Sequence, residues 1–180
     1  MMKLMKKLML FTLCAALALA LAACGGKDGQ AGSGSGSAAG SGSASQGSAA
    51  IANPFTDCGT LDEAAQLAGF PLEAPDTVPG GSERQVRAAE GSMIEVIWSA
   101  EDGAEVLRAR KGAGTGDVSG DYNNYGETAT AVIDGLEATL KGDGGKVCLA
   151  VWTDGGHAFS LSAPAGLTAE EMSALVEAVK

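Results

Sequence analysis

Three turn signals, at Asp134-Gly135, Asp143-Gly144-Gly145 and Asp154-Gly155-Gly156, constrain this chain more than anything else in it. Each places aspartate before glycine between apolar runs, the pairing that reaches positive φ cheaply and closes a tight connection between two strands. Strands are therefore predicted over 128–133, 136–141, 146–152 and 157–162, each antiparallel to the one before. Upstream, a period of two marks strands over 84–89 and 93–99 around Glu90-Gly91-Ser92, with Ile94, Val96 and Trp98 on one face. A further strand over 105–111 follows the turn at Glu101-Asp102-Gly103, and a loop is expected over 112–126. Lys146-Val147-Cys148-Leu149-Ala150-Val151-Trp152 is apolar at nearly every position, so it is expected to be central and covered on both sides, or to line a curved face.

Helices bracket these strands. Thr60-Leu61-Asp62-Glu63 is a capping box, Leu61, Ala64, Ala65, Leu67 and Ala68 follow at helical spacing, and Gly69 supplies the left-handed stop. Phe70-Pro71-Leu72 and the prolines at 75 and 79 then stiffen an extended segment. A second capping box, Thr168-Ala169-Glu170-Glu171, opens a last helix whose buried stripe is Met172, Leu175, Val176 and Val179. The expected fold class is α+β: an antiparallel meander of about six to seven strands, with an N-terminal and a C-terminal helix packed on it.

The N-terminus obeys different rules. Lys3, Lys6 and Lys7 precede an apolar run over 8–21, too short for a bilayer core that needs about 20 apolar residues. Positive charge, a short apolar run and small residues in that order describe a secretory leader, residues 1–23. Leu21-Ala22-Ala23-Cys24 resembles the lipobox of bacterial lipoproteins. That resemblance implies a diacylglyceryl thioether on Cys24, cleavage just before it, and acylation of the palmitate kind at the cell membrane. Two chains make a durable anchor where one is marginal. A soluble secreted protein with a cysteine there by chance is the alternative.

Residues 24–50 then form a tether rich in glycine, serine and alanine, with nothing to bury. Such a segment reads as a flexible coil, with a root-mean-square reach on the order of 25–30 Å. It has no GK[ST] ending of a phosphate-binding loop. Residues 51–180 suit one domain. That domain carries 8 lysines and arginines against 21 aspartates and glutamates, a net of −13. Such a surface argues against nucleic acid and against direct docking on anionic headgroups, and it keeps a domain soluble.

Once the leader and Cys24 are set aside, Cys58 and Cys148 remain. Outside the cell they are a disulfide candidate, closing a loop of about 90 residues at roughly 4–5 kcal/mol in the chain-entropy treatment. Two reduced thiols are the rival reading. No CxxC is present, so a zinc site is not indicated.

Catalytic signatures are thin. His157 is the only histidine, so any Ser-His-Asp or Cys-His set would need it, yet it follows a hairpin turn where a solvent-facing residue is usual. In the run starting at Gly112, the sixth position of a GxGxxG fingerprint falls on Asp117, and no βαβ context surrounds it. Asp117, Asp121, Asn123 and Asn124 could offer oxygens to calcium, but not at EF-hand spacing. No metal site or cofactor is therefore expected. Tyr122 and Tyr125 flank two amides and could stack on a sugar or peptide, or pin the loop to its own sheet. Trp98 and Trp152 read as core.

Several of these motifs occur together elsewhere. Asn53-Pro54-Phe55-Thr56-Asp57-Cys58, Ala68-Gly69-Phe70-Pro71-Leu72, Met93-Ile94-Glu95-Val96-Ile97, Val118-Ser119-Gly120-Asp121-Tyr122-Asn123-Asn124-Tyr125 and Leu140-Lys141-Gly142 through Ala150-Val151-Trp152-Thr153 stand in the chain in that order. The set resembles a family of membrane lipoproteins from Gram-positive, largely gut-dwelling, bacteria with an extracytoplasmic domain of unknown function. It is also similar to a domain found outside the membrane in some anti-sigma-factor proteins. The resemblance implies extracytoplasmic placement and carries over no activity, catalytic residue or ligand.

The function expected from these features is non-enzymatic. A lipid-anchored domain would bind a protein, peptide or apolar ligand through one sheet face or through the loop bearing Asp117, Asp121, Tyr122, Asn123 and Tyr125. The alternatives are an envelope hydrolase using Asp117 and Asp121, and a purely structural or assembly lipoprotein.

Overall fold

The computed structural model describes residues 53–180. One antiparallel sheet of eight strands carries two helices, one near each end of this region. The strands are β1 (Thr56–Cys58), β2 (Glu83–Ala89), β3 (Met93–Ser99), β4 (Glu105–Ala113), β5 (Glu127–Ile133), β6 (Leu136–Asp143), β7 (Lys146–Asp154) and β8 (His157–Leu167). Helix α1 spans Leu61–Ala68 and α2 spans Ala169–Ala178. The α+β class, the antiparallel sheet and both helices match the sequence reading. The strand count rises to eight because β1, only three residues long, pairs with β2.

Strand order across the sheet is β1-β2-β3-β4-β8-β7-β6-β5. Two four-stranded meanders thus meet at the β4–β8 seam, and β5 stands at the far edge from β1. The hairpins are where the Asp-Gly signals put them. At the β5–β6 turn Asp134 has φ 49° and Gly135 φ 80°, the two positive values a two-residue turn needs.

Register explains the core. Cys58, Val86, Val96, Ala109, Leu161, Ala150, Leu140 and Ala129 are successive cross-strand partners, one row running through every strand. The parallel row of Ala88, Ile94, Lys111, Phe159, Trp152 and Ala138 lies on the same face. Both helices cover this face, α1 over β1–β3 and α2 over β5, β7 and β8. Trp98 and Trp152 are 1% and 4% exposed, and Trp152 stacks on Phe159 with centroids 5.2 Å apart. Both tryptophans belong to the core. Lys111 is buried in it, its ammonium 5.0 Å from the Phe159 ring centroid and 6.0 Å from that of Phe70. Burial lowers its pKa, against the pull of Asp154 and Glu73.

The disulfide does not form; Cys58 and Cys148 are both free. Cys58 lies on the edge strand β1 and Cys148 on β7, five strand steps away. Measured across the sheet that is about 24 Å, against the roughly 4.4–6.8 Å between Cα atoms that a disulfide requires. Cys148 instead occupies the bulge where β7 slips in register against β8. Among the described residues no helix is long and apolar enough to cross a membrane.

Both helix starts are capped by side chains. At α1 the Glu63 amide donates to Thr60 Oγ1 (3.1 Å), while the Glu63 carboxylate accepts from Gly59 N (2.7 Å), one residue before the position a reciprocal box uses. At α2 the box is complete: Glu171 N donates to Thr168 Oγ1 (3.2 Å) and Thr168 N donates to Glu171 Oε2 (2.8 Å). The bonds from the Thr168 amide and hydroxyl hold the Glu171 carboxyl below its usual range. A depressed carboxyl contributes stability that is present above the unfolded value, about 4.3 for glutamate, and lost as pH falls through the folded one. Glu171→Gln should therefore flatten the pH dependence of unfolding just below that value. Urea titrations of both proteins at several acidic pH values check this; parallel curves would count against the cap.

Candidate binding face

The second sheet face is polar. One row of cross-strand partners on it reads Asp57, Arg87, Glu95, Arg110, Ser160, Val151, Thr139 and Thr130. At its centre the Glu95 side chain is 0% exposed. Arg87 Nε reaches Glu95 Oε1, Arg110 Nε reaches Oε2 at 2.6 Å, and Arg108 Nη1 lies 3.4 Å from Oε2. Arg108 also forms a two-bond pair with Glu105. Alternation makes this possible: Arg108 and Arg110 flank Ala109 on β4, so both point to Glu95's side of the sheet.

The loop from β4 to β5 covers this cluster. Because β4 neighbours β8, the chain must pass β8, β7 and β6 to reach β5, a span of about 19 Å at ordinary strand spacing. It crosses on the polar face, anchored by Arg110. Arg110 Nη1 donates to the carbonyls of Val118 (3.1 Å) and Ser119 (2.6 Å). Val118 seats on Gly112, where a β-carbon would come 2.6 Å from Val118 Cγ1. A larger side chain there would have to push Val118 off its seat.

Beyond the anchor, polar side chains fold the loop onto itself. Asp117 accepts from Ser119 N (2.8 Å), Ser119 Oγ from Asp121 N (3.1 Å), and Asp121 Oδ1 from Asn123 N (2.7 Å). The Tyr125 hydroxyl donates to Asp121 Oδ2 (2.6 Å), and Gly126 N donates to Asp143 (2.7 Å). Bonds from Ser119 hold the Asp117 carboxyl below its usual range in spite of partial burial, helped by Lys141 and Arg110. Burial, then the bond to Asp121, pushes the Tyr125 phenol up to about 12.

The candidate residues therefore take different places. Tyr125 pins the loop. Tyr122 is 95% exposed and stands over a cleft of about 410 Å³ with Glu105, Arg108, Asp121, Asn123 and Ser162. On the other side of the loop a cleft of about 300 Å³ opens between Thr115, Asp117 and the β6–β7 residues Glu137, Thr139, Val151 and Thr153. Asp117 and Asp121 are turned into the loop's own backbone, and the depressed Asp117 is unsuited to act as a general acid near neutral pH. His157 lines neither cleft, its Nδ1 3.1 Å from Gly155 O and its ring 4.6 Å from Phe70. Among the described residues no group of three His, Cys, Asp or Glu side chains is placed to hold a metal. A smaller apolar groove of about 240 Å³ lies beside α2, lined by Val78, Pro79, Val106, Leu167 and Leu175. Cys24, the candidate lipid attachment, lies outside the described residues, as do the leader and the tether.

The Glu95 cluster is the part the sequence reading missed. Its signal was a carboxylate inside an otherwise apolar strand, Ile94-Glu95-Val96-Ile97, opposite an Arg-Ala-Arg alternation. No family model, curated protein or solved structure matches the chain.

The loop's internal bonding makes a direct prediction. Asp121→Asn should bring the ionisation of Tyr125 down from about 12, because the neighbouring carboxylate is one cause of the rise, and burial should keep it from returning fully to the free value. An NMR titration of the Tyr125 ring reads this; an unchanged midpoint would mean that the bond to Asp121 contributes nothing.

Proposed function

We propose that this chain is a lipid-anchored, extracytoplasmic, non-enzymatic binding module that uses the loop-covered polar face of its sheet. The observation that carries the binding assignment is Tyr122, a fully presented aromatic on a loop held by a half-buried arginine. An aromatic carried on an anchored loop offers contact area with little further backbone ordering, which is how recognition surfaces gain affinity. Around it stand an arginine, an asparagine, two serines and two carboxylates. These groups suit a ligand rich in hydroxyls or amides, such as a glycan or peptide of the envelope, better than an apolar one.

Placement outside the cell rests on the order of basic residues, short apolar run, lipobox and tether, with Cys24 carrying the lipid. The net charge of −13 on residues 51–180 would keep the domain off an acidic membrane surface while the tether holds it nearby.

An NMR titration with cell-wall glycan and peptide fragments tests the binding site. Shifts should centre on Tyr122, Asn123 and Arg108, and Tyr122→Ala should weaken binding by about tenfold or more, the usual cost of truncating an aromatic anchor. Binding that leaves these residues unperturbed, or that is indifferent to Tyr122→Ala, would refute the assignment.

A further inference from the structure

The two edges of the sheet are built differently. The β1 edge is three residues long, has Asp57 at its centre and follows Pro54 closely. Short length, charge and proline are the devices that stop an edge strand from recruiting another. The β5 edge is open over most of its length. It is seven residues long, pairs with β6 without a register shift, and has no charge or proline after Glu127. Thr128, Ala129, Thr130 and Val132 are exposed, Val132 to 75%. Among the described residues no strand pairs with its outer side. An uncharged, exposed edge of this length is a template for strand addition.

We propose that β5 pairs antiparallel with β5 of a second copy of this chain, about a two-fold axis through Thr130. The sequence Glu-Thr-Ala-Thr-Ala-Val-Ile is nearly palindromic about that residue. Thr130 meets Thr130 of the second copy, Ala129 meets Ala131, and Thr128 meets Val132, a side chain of the same shape. Glu127 falls opposite Ile133, so no like charges face each other. This is the one register that uses all seven residues. Cross-strand threonine pairs of this kind are favourable.

The flanking strands agree in charge. On β6, Lys141 pairs with Thr128 and Glu137 with Val132. Carrying these rows across the seam sets Lys141 of one copy in line with Glu137 of the other, twice by symmetry. Both polar faces then lie side by side, so the two Tyr122 loops open on the same side of one continuous sheet. The two-fold closes the assembly at two, because the only edges left are the blunted β1 strands.

Cross-linking of the full chain in mild detergent tests the pairing, using a short bis-maleimide. In the proposed register a thiol at position 130 lies about 5 Å from its own mate, whereas a thiol at 132 lies about 14 Å from its mate, four residues along the seam. Thr130→Cys should yield covalent dimer at least fivefold above both Val132→Cys and the unsubstituted chain, which sets the baseline for the native thiols. Thr130→Lys, which places like charges on the axis at an exposed position, should shift the full chain from dimer to monomer in sedimentation. Equal yields from the two cysteine variants, no yield above baseline, adducts of Thr130→Cys with a different protein, or a dimer that survives Thr130→Lys would each overturn the proposal.

Discussion

A carboxylate with no exposure, set among three arginines, is the constraint on which the rest of the polar face depends. Glu95 cannot be left bare in that position, since an unpaired buried charge costs far more than a domain of this size can spare. It therefore dictates where Arg87, Arg108 and Arg110 lie. Arg110, once placed, directs its Nη1 at the carbonyls of Val118 and Ser119. Replacing such a cluster with apolar residues can be neutral or even stabilising, so its worth is better sought in position than in net stability. Here that position is the path of a loop.

The loop in turn follows from topology. Each Asp-Gly turn is a local signal, and local signals specify their hairpins: β5–β6, β6–β7 and β7–β8 all lie where the aspartate–glycine pairs put them. The β4–β8 seam is another matter. It joins strands whose pairing is decided by burial of Ala109 and Leu161 in one row, and no short stretch of sequence encodes it. Read as a plain meander, the strands would place β5 beside β4. With β8 there instead, the long connection has to cross the sheet, and its glycines, aspartates and serines become the means of crossing. β1 escaped notice because three residues are too few to show a period, and Cys58 and Cys148 suggested a pairing that only strand order could exclude.

The candidate site was legible in its parts and opaque in its arrangement. Both tyrosines stood out as residues that either bind or pack, and they divide those roles: Tyr125 closes the hydrogen-bond chain of the loop and Tyr122 faces outward. The paired aspartates drew attention as possible acids or ligands, yet asparagine, serine and aspartate two residues from a free amide commonly serve the backbone. Glu95 was hidden by its neighbours. Within an apolar strand, one acidic residue is easily taken as the wet face of an alternation, and only the register with Arg87 and Arg110 shows that this face is covered.

The central claim, that Arg110 carries the order of the buried carboxylate into the crossing loop, is tested most directly by hydrogen exchange on Arg110→Met. Glu95 keeps Arg87 and Arg108 in that variant, so the sheet should persist. The account predicts that the amides of Ser119, Asp121 and Asn123 lose protection while those of β3, β4 and β8 keep theirs. Loop amides that exchange as slowly as before would contradict it.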